Sequence, residues 1–211
     1  MKRICCVLIA FFTFSAIAFN QPAGFTPVKS ASDFSSKMKD YASKLTCIKS
    51  NFVQEKHLQY LDAALESEGK FWYKTPNKVR WEYTKPYKYI LVLNNGKLKM
   101  ISESSKTELD MKGNAIFEQV NNIMIASVSG NILDNKDYGI QVFENTRFYL
   151  ILMKPTSQAI STLISQMELY VDKNSYSVTK IKMIESGSDY SEISFSNLII
   201  NEEFDEGLFT P

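Results

Sequence analysis

The side chains of this sequence that could do chemistry are one histidine, three cysteines and a set of scattered carboxylates. His57 has no second histidine to act with, and protein metal sites usually need several His or Cys ligands. The pattern therefore favours a polar residue on a half-solvated strand over a metal ligand. The carboxylates of Glu66, Glu68, Glu103 and Glu108 stand among Lys and Ser residues. This spacing favours solvated strand faces over an acid–base pair.

Motifs for nucleophilic catalysis and for nucleotide binding are absent from the sequence. It contains no Gly-x-Ser-x-Gly elbow, no P-loop and no dinucleotide glycine fingerprint. Cys47 is the one cysteine outside the N-terminal apolar run, and no basic cluster stands beside it to favour a reactive thiolate. We interpret it as a small buried hydrophobe. The sequence thus predicts a protein that is not an enzyme and that uses no metal or cofactor.

The N-terminus has the pattern of a secretory signal peptide. Lys2 and Arg3 precede an unbroken apolar run, which ends in the small residues A-I-A. This predicts cleavage after Ala18, with a signal peptide over residues 1–18 and one exported domain over residues 19–211. The apolar run is shorter than the roughly 20 residues of a membrane span, which disfavours an uncleaved anchor helix.

Length and charge restrict the function further. The chain has 211 residues and a formal net charge of +1, and loss of the signal removes two positive charges and leaves −1. Without a basic excess, neither a nucleic-acid surface nor simple electrostatic docking to anionic membranes is predicted. The mature chain is long enough for one domain with its own core.

The hydrophobic periodicity predicts a mainly β protein with two helices. The first helix is predicted near residues 30–48, where Ser30 and Asp33 form a capping box and apolar residues recur at helical spacing. These apolar residues are Phe34, Met38, Tyr41, Leu45 and Ile48. The second helix, within 114–133, has an apolar stripe wider than a surface helix needs. The remaining segments alternate with period two and predict about eleven antiparallel strands of a sandwich or barrel.

Large aromatic side chains are concentrated in the strands between Gly69 and Met100. In the strand K-V-R-W-E-Y-T, alternation places Val79, Trp81 and Tyr83 on one face. Rings with one polar tip suit a pocket or an interface, but they also suit the dry interior of a barrel. Composition alone leaves both interpretations open.

The order and spacing of several segments resemble the LolA family of periplasmic lipoprotein carriers. These segments are S-N-F-V-Q, then G-K-F-W-Y-K-T-P-N-K-V-R-W-E-Y-T-K-P, then Y-I-L-V-L-N-N-G-K-L-K-M. The resemblance covers essentially the whole mature chain and is most specific between Gly69 and Gly96. It implies an incomplete, half-open antiparallel β-barrel of about eleven strands, with helices covering the open side as a lid.

The resemblance also implies a function. The protein would be a monomeric chaperone in the periplasm of a Gram-negative bacterium. It would accept a triacylated lipoprotein from an ABC-type release complex in the inner membrane and deliver it to an outer-membrane acceptor. Burying an acyl chain is worth about 0.8 kcal/mol per CH₂, so such a carrier needs a broad apolar surface.

Two groups of residues are expected to form that surface. The residues expected on the concave face of the sheet are Val79, Trp81, Tyr89, Leu91 and Leu93. The residues expected on the lid are Ile123, Met124 and Val128. Ordinary packing of a helix on a sheet is an alternative role for the lid residues.

The sequence departs from the family at Thr75. Family members carry an Arg just before the proline matched by Pro76, and that Arg bonds to backbone carbonyls of the lid. A threonine hydroxyl donates one hydrogen bond where a guanidinium donates up to five. Either the closed lid is less strongly latched here, or a residue such as Lys74 replaces the Arg. A family Phe is also replaced by Val79, which would change the shape of the cavity.

Other functions remain open. A carrier of a different lipid, such as a glycolipid or a lipid-linked small molecule, would use the same apolar surface. A receptor-type relative would need a lipobox cysteine, and the two-domain envelope-stress regulator would need a longer chain. A closed interior filled by side chains beneath Ile116–Val128 would count against a transport function.

Overall fold

The computed structural model describes residues 20–94, 97–102, 106–109, 115–187 and 189–210. The predicted signal peptide lies outside the described residues, and so does the predicted Asn95-Gly96 turn. The strands that flank this turn do pair, with Asn94 opposite Lys97.

The described residues form twelve strands, three α-helices and two short 3-10 helices. The strands are β1 Thr26–Pro27, β2 Cys47–His57, β3 Leu65–Lys74, β4 Lys78–Lys85, β5 Tyr89–Asn94, β6 Lys97–Ser102, β7 Lys106–Leu109, β8 Tyr138–Glu144, β9 Phe148–Pro155, β10 Ile164–Asp172, β11 Val178–Glu185 and β12 Tyr190–Ile200. The helices are α1 Ala31–Ser43, α2 Ala115–Val128 and α3 Gln158–Ser161, with 3-10 helices at Ile132–Asp134 and Glu206–Phe209.

All twelve strands belong to one antiparallel sheet in the order β1-β8-β9-β10-β11-β12-β2-β3-β4-β5-β6-β7. Its edges are β1 and β7, and among the described residues they do not pair, so the sheet is not closed into a barrel. The two halves of the chain join at its middle, where β2 pairs with β12. The predicted open antiparallel sheet of about eleven strands is confirmed, and the additional strand β1 has only two residues.

Helix α1 begins where the sequence predicts. The Ser30 side chain accepts a hydrogen bond from the backbone N–H of Asp33 at 3.1 Å, which satisfies one of the free donors in the first turn. Phe34 and Met38 are buried on the face that packs against the sheet.

The end of α1 differs from the prediction, because the helix stops at Ser43 and Ile48 lies in β2. The reason is a contact with the other end of the chain. The Asn201 side chain donates to Lys44 O at 2.7 Å and accepts from Thr46 N at 2.8 Å. These bonds satisfy backbone groups just beyond Ser43 and turn the chain into β2.

The two faces of the sheet are buried by different parts of the molecule. The inner face carries the main core, to which α1 and α2 contribute. On the outer face, Phe209 of the C-terminal segment packs on Trp72 and Val92. Phe25 of the N-terminal segment covers a second patch, which contains Leu150 and Leu152. This explains why β5 and β9 are apolar on both faces.

The end of α2 lies directly against α1. Gly130 has φ +71°, in the region where glycine commonly ends a helix. A Cβ atom there would lie 2.8 Å from Lys39 Cα and 2.9 Å from Met38 O. Glycine therefore permits the close approach that fixes the C-terminal end of α2.

Candidate functional site

Strands β4 and β5 place the five residues expected on the concave surface together on the inner face. Val79 pairs with Leu93 and Trp81 with Leu91 across the two strands. Val79, Trp81 and Leu93 are buried, while Leu91 and Tyr89 are half-buried and pack against the same core.

Three phenylalanines that the sequence analysis did not single out surround Trp81. The ring centroids of Phe71, Phe52 and Phe195 lie 4.7, 5.0 and 6.0 Å from that of Trp81. Period-two alternation in β2 and β3 was the available signal for Phe52 and Phe71. Phe195 reaches the cluster only because β12 pairs with β2.

Helix α2 covers this inner face. Ile123, Met124 and Val128, the residues expected on the lid, are buried in the same core as the sheet residues. The side chains of Ile116 and Val120, which the sequence places on the same helical face, lie outside what the structure describes. The described part of α2 is thus packed closely on the sheet.

Two side-chain hydrogen bonds also tie α2 to the sheet. Trp81 Nε1 donates to Asn121 Oδ1 at 3.2 Å, and the two residues are 1% and 0% exposed. The Tyr138 hydroxyl donates to Gln119 Oε1 at 3.0 Å. The first bond satisfies an indole N–H that has no access to water, so it matters more for keeping α2 in place.

Thr75 and Lys74, the residues considered for a latch, form hydrogen bonds and ion pairs with other parts of the chain. Thr75 donates to Thr46 O through its backbone N–H at 2.9 Å and through its hydroxyl at 3.1 Å. Lys74 forms an ion pair with Glu206, which also pairs with Lys78 at 2.7 Å. Hydrogen bonds from these two lysines lower the pKa of Glu206 to about 2. These contacts hold the end of β3 to the α1–β2 turn and to the C-terminal segment.

Among the described residues, the space beneath the C-terminal part of α2 is largely filled by side chains. A cavity of about 20 Å³ remains, and it is lined in part by Phe71, Met124 and Val128 together with Tyr41 and Ser50. This is room for about one water molecule, whereas pockets for drug-sized ligands measure roughly 300–1,000 Å³. At this cavity the closed arrangement therefore leaves no room for an acyl chain, and the side chains of Ile116 and Val120 lie outside the described residues.

The polar groups buried with this core are uncharged. Among the described residues, the buried polar side chains are Ser50, Asn121, Ser127, Ser177 and Ser191. Burial also raises the pKa of the Tyr41 and Tyr83 phenols, which keeps them protonated. An apolar interior with a few neutral hydrogen-bonding groups suits an uncharged ligand.

The side chains considered for chemistry have structural contacts. His57 stacks on Tyr190 with ring centroids 4.2 Å apart, and Cys47 donates from Sγ to Glu202 O at 3.2 Å. Within the described ranges, no group of three or more His, Cys, Asp or Glu residues could hold a metal ion. No helix in the described part of the chain has the length and apolar character needed to cross a membrane.

Comparison with known proteins identifies both a family and a fold. The family model for the outer membrane lipoprotein carrier protein LolA matches residues 43–211. No curated protein sequence matches the chain.

Solved structures that are similar to this chain share little of its sequence. An uncharacterised conserved protein from Thermus thermophilus has a TM-score of 0.55 and 9% identity, covering 86% of this chain and 94% of that one. A DUF1329 family protein from Desulfovibrio piger gives 0.49 at 12% identity, with 87% and 97% covered. A LolA superfamily protein from Nitrosomonas europaea gives 0.43 at 9% identity, with 82% and 96% covered. At 9% identity, the similarity to the Thermus thermophilus protein concerns the fold alone.

Proposed function

We propose that the chain, which belongs to the outer membrane lipoprotein carrier protein LolA family, binds the acyl chains of lipoproteins released from the inner membrane. It then delivers them to the outer membrane. The observation that carries the proposal is the inner face itself. It is apolar, rich in aromatic rings and covered by a helix whose buried side chains are part of the same core. A carrier rather than an enzyme is the function that this surface supports.

Cargo binding beneath the described part of α2 requires the helix to move, because the cavity there has room for little more than a water molecule. Movement of α2 would expose Trp81 and Ile123, which are 1% and 0% exposed in the closed state. Burial of a 16-carbon acyl chain is worth roughly 12 kcal/mol at 0.8 kcal/mol per CH₂. An incoming chain can therefore offset the contacts that α2 gives up, and the closed state is the cargo-free form of the carrier.

The remaining parts of the proposal concern location and partners. Export to the periplasm would follow from cleavage of the signal peptide predicted over residues 1–18. There a monomer would receive its triacylated cargo from an ABC-type release complex and give it up to an outer-membrane acceptor. The large apolar area supports strong cargo binding, and the competing packing of α2 supports release.

The direct test is to purify the tagged protein from its native host and to identify the bound lipid or lipoprotein by mass spectrometry. Co-purification of a triacylated lipoprotein supports the proposal, whereas a bound glycolipid or other lipid supports the alternative carrier.

A Leu91→Glu variant should lose the cargo, because the new charge lies on the inner face. Leu65→Glu is the matched control, because Leu65 is 52% exposed and should retain the cargo.

Replacing Thr75 with arginine is expected to strengthen closure of α2 and to slow cargo release. The guanidinium adds up to five donors at the position where the family latches its lid. Hydrogen exchange of α2 amides and transfer of a bound acyl probe to vesicles measure the two effects. Unchanged exchange together with unchanged transfer would contradict a latch role for this position.

A further inference from the structure

The cavity that remains beneath α2 has an unusual lining for an apolar core. Five of the residues around it carry hydroxyl groups: Tyr41, Ser50, Ser127, Tyr176 and Ser177. They come from α1, β2, α2 and the turn between β10 and β11. Hydroxyls from four parts of the fold therefore converge on one small space.

Among the described residues that line the cavity, Ser50 is the one whose buried hydroxyl lacks a partner. It is 2% exposed, and its Oγ makes no hydrogen bond. By contrast, Ser127 Oγ donates to Ile123 O at 2.7 Å, and the hydroxyls of Tyr41 and Ser177 bond to each other at 2.8 Å. Buried polar groups are nearly always paired, so an unpaired hydroxyl that lines a cavity is a candidate donor to a ligand placed there.

The strand beside Ser50 is distorted. Strand β12 pairs regularly with β2 as far as Ser196 opposite Asn51, and the register then breaks before Ile199 pairs with Lys49. Asn197, within the break, has φ +53°, and its neighbour Leu198 lines the cavity. Bulges of this kind re-aim side chains and are common beside functional sites.

We propose that this cavity seats an uncharged hydrogen-bonding group of the bound lipid, an ester or amide carbonyl, with the Ser50 hydroxyl as its donor. This inference rests on the proposed carrier function and specifies the chemistry of its cargo. None of the described residues that line the cavity carries a charge. A carboxylate or phosphate would be buried there without a countercharge, which is strongly unfavourable.

The location of the cavity connects this group to the movement of α2. Met124, Ser127 and Val128 all line it from the helix. Displacement of α2 would widen this space, so the carbonyl and the first part of its acyl chain could enter together. Carbonyl recognition would then favour acyl esters and amides over plain hydrocarbons, whatever the rest of the cargo.

The test compares Ser50→Ala with wild type for two probes, ethyl palmitate and octadecane, each displacing an environment-sensitive naphthylamine dye. Loss of one hydrogen bond should weaken ethyl palmitate binding about 5-fold and leave octadecane binding within about 2-fold. Ser165→Ala is the matched control, because Ser165 is exposed and donates to Ile184 O at 3.1 Å. It should change neither affinity.

The possible outcomes separate this inference from the function on which it rests. If wild type binds both probes and Ser50→Ala binds ethyl palmitate equally well, the proposed carbonyl-binding role of Ser50 is wrong and the carrier function stands. Equal weakening of binding for both probes would show that Ser50 serves only the packing of the cavity. Lower thermal stability with unchanged binding would show that the Ser50 hydroxyl bonds to a structural water. Either result overturns the inference. If wild type binds no acyl probe, both the proposed carrier function and the proposed carbonyl-binding role of Ser50 are wrong.

Discussion

Replacing Asn121 with leucine is expected to open α2, shifting its closed–open equilibrium by roughly 5- to 150-fold. Asn121 Oδ1 accepts the hydrogen bond of Trp81 Nε1 at 3.2 Å, and neither residue has appreciable contact with solvent. Leucine leaves the indole N–H buried and unpaired in the closed state, at a cost of about 1–3 kcal/mol. In the open state the indole reaches water, so the cost disappears and the equilibrium moves toward opening.

Two measurements would detect this shift. Amide hydrogen exchange in α2 should accelerate, and affinity for an acyl probe should rise with the fraction of open protein. Asn122→Leu is the matched control, because Asn122 is the exposed neighbour on the same helix, and its replacement should have neither effect. Unchanged exchange in Asn121→Leu would show that this bond does not hold α2.

A double variant tests the cause of the effect. Combining Trp81→Phe with Asn121→Leu removes the donor as well as the acceptor of this bond, so the buried indole N–H is no longer left unpaired. Phenylalanine and leucine leave apolar side chains at both positions, which removes the cost of an unpaired buried donor. Exchange in α2 should therefore return toward the wild-type rate. If the double variant opens as far as Asn121→Leu alone, lost packing rather than the unpaired indole is responsible.

Replacing Gly69 with alanine is expected to lower the free energy of unfolding by about 3 kcal/mol, the upper end of the usual cost of overpacking. A Cβ atom at this position would meet the backbone oxygen of Glu82 and would lie 2.7 Å from the ring of Phe52. The backbone cannot withdraw without breaking the β3–β4 pairing, which is already irregular between Glu68 and Gly69. The Phe52 ring would also be pushed against the Trp81 ring, whose centroid lies 5.0 Å from that of Phe52.

Thermal unfolding measures the result. A loss of about 3 kcal/mol corresponds to a decrease in Tm of roughly 6–12 °C for a chain of this size. Gly187→Ala is the matched control, because a Cβ atom there has no neighbour within 4 Å. A Gly69→Ala protein as stable as Gly187→Ala would show that the strand relaxes around the methyl group.

The sequence predicted the elements and the two sides of the sheet well. Alternation placed Val79 and Trp81 on one face and Arg80 on the other, because a strand has a period of two regardless of its partners. The cap of α1 at Ser30 was also readable, because a capping hydrogen bond spans only three residues. Features that depend on neighbours in the chain were therefore accessible before the fold was known.

The end of α1 shows where such local patterns fail. Helical spacing alone extended the helix to Ile48, but Asn201 bonds to Lys44 and Thr46 and ends it at Ser43. The apolar residues on the outer face of β5 were similarly unexplained, because their partner Phe209 belongs to the far end of the chain. In both cases the deciding contact joins residues that sequence pattern cannot pair.

The sequence alone determined that this is an antiparallel β protein with an apolar, aromatic-rich inner face and two long helices, and it identified the family; the short helix α3 was not predicted. Only the tertiary structure decided how the inner face is closed: Phe195 beside Trp81, Asn121 bonded to the indole, and Ser50 unpaired opposite a bulge. The physical reason is that periodicity and capping arise within a few residues of one chain segment. Register between distant strands, and the filling of the space beneath α2, are set by packing among all the strands and helices at once.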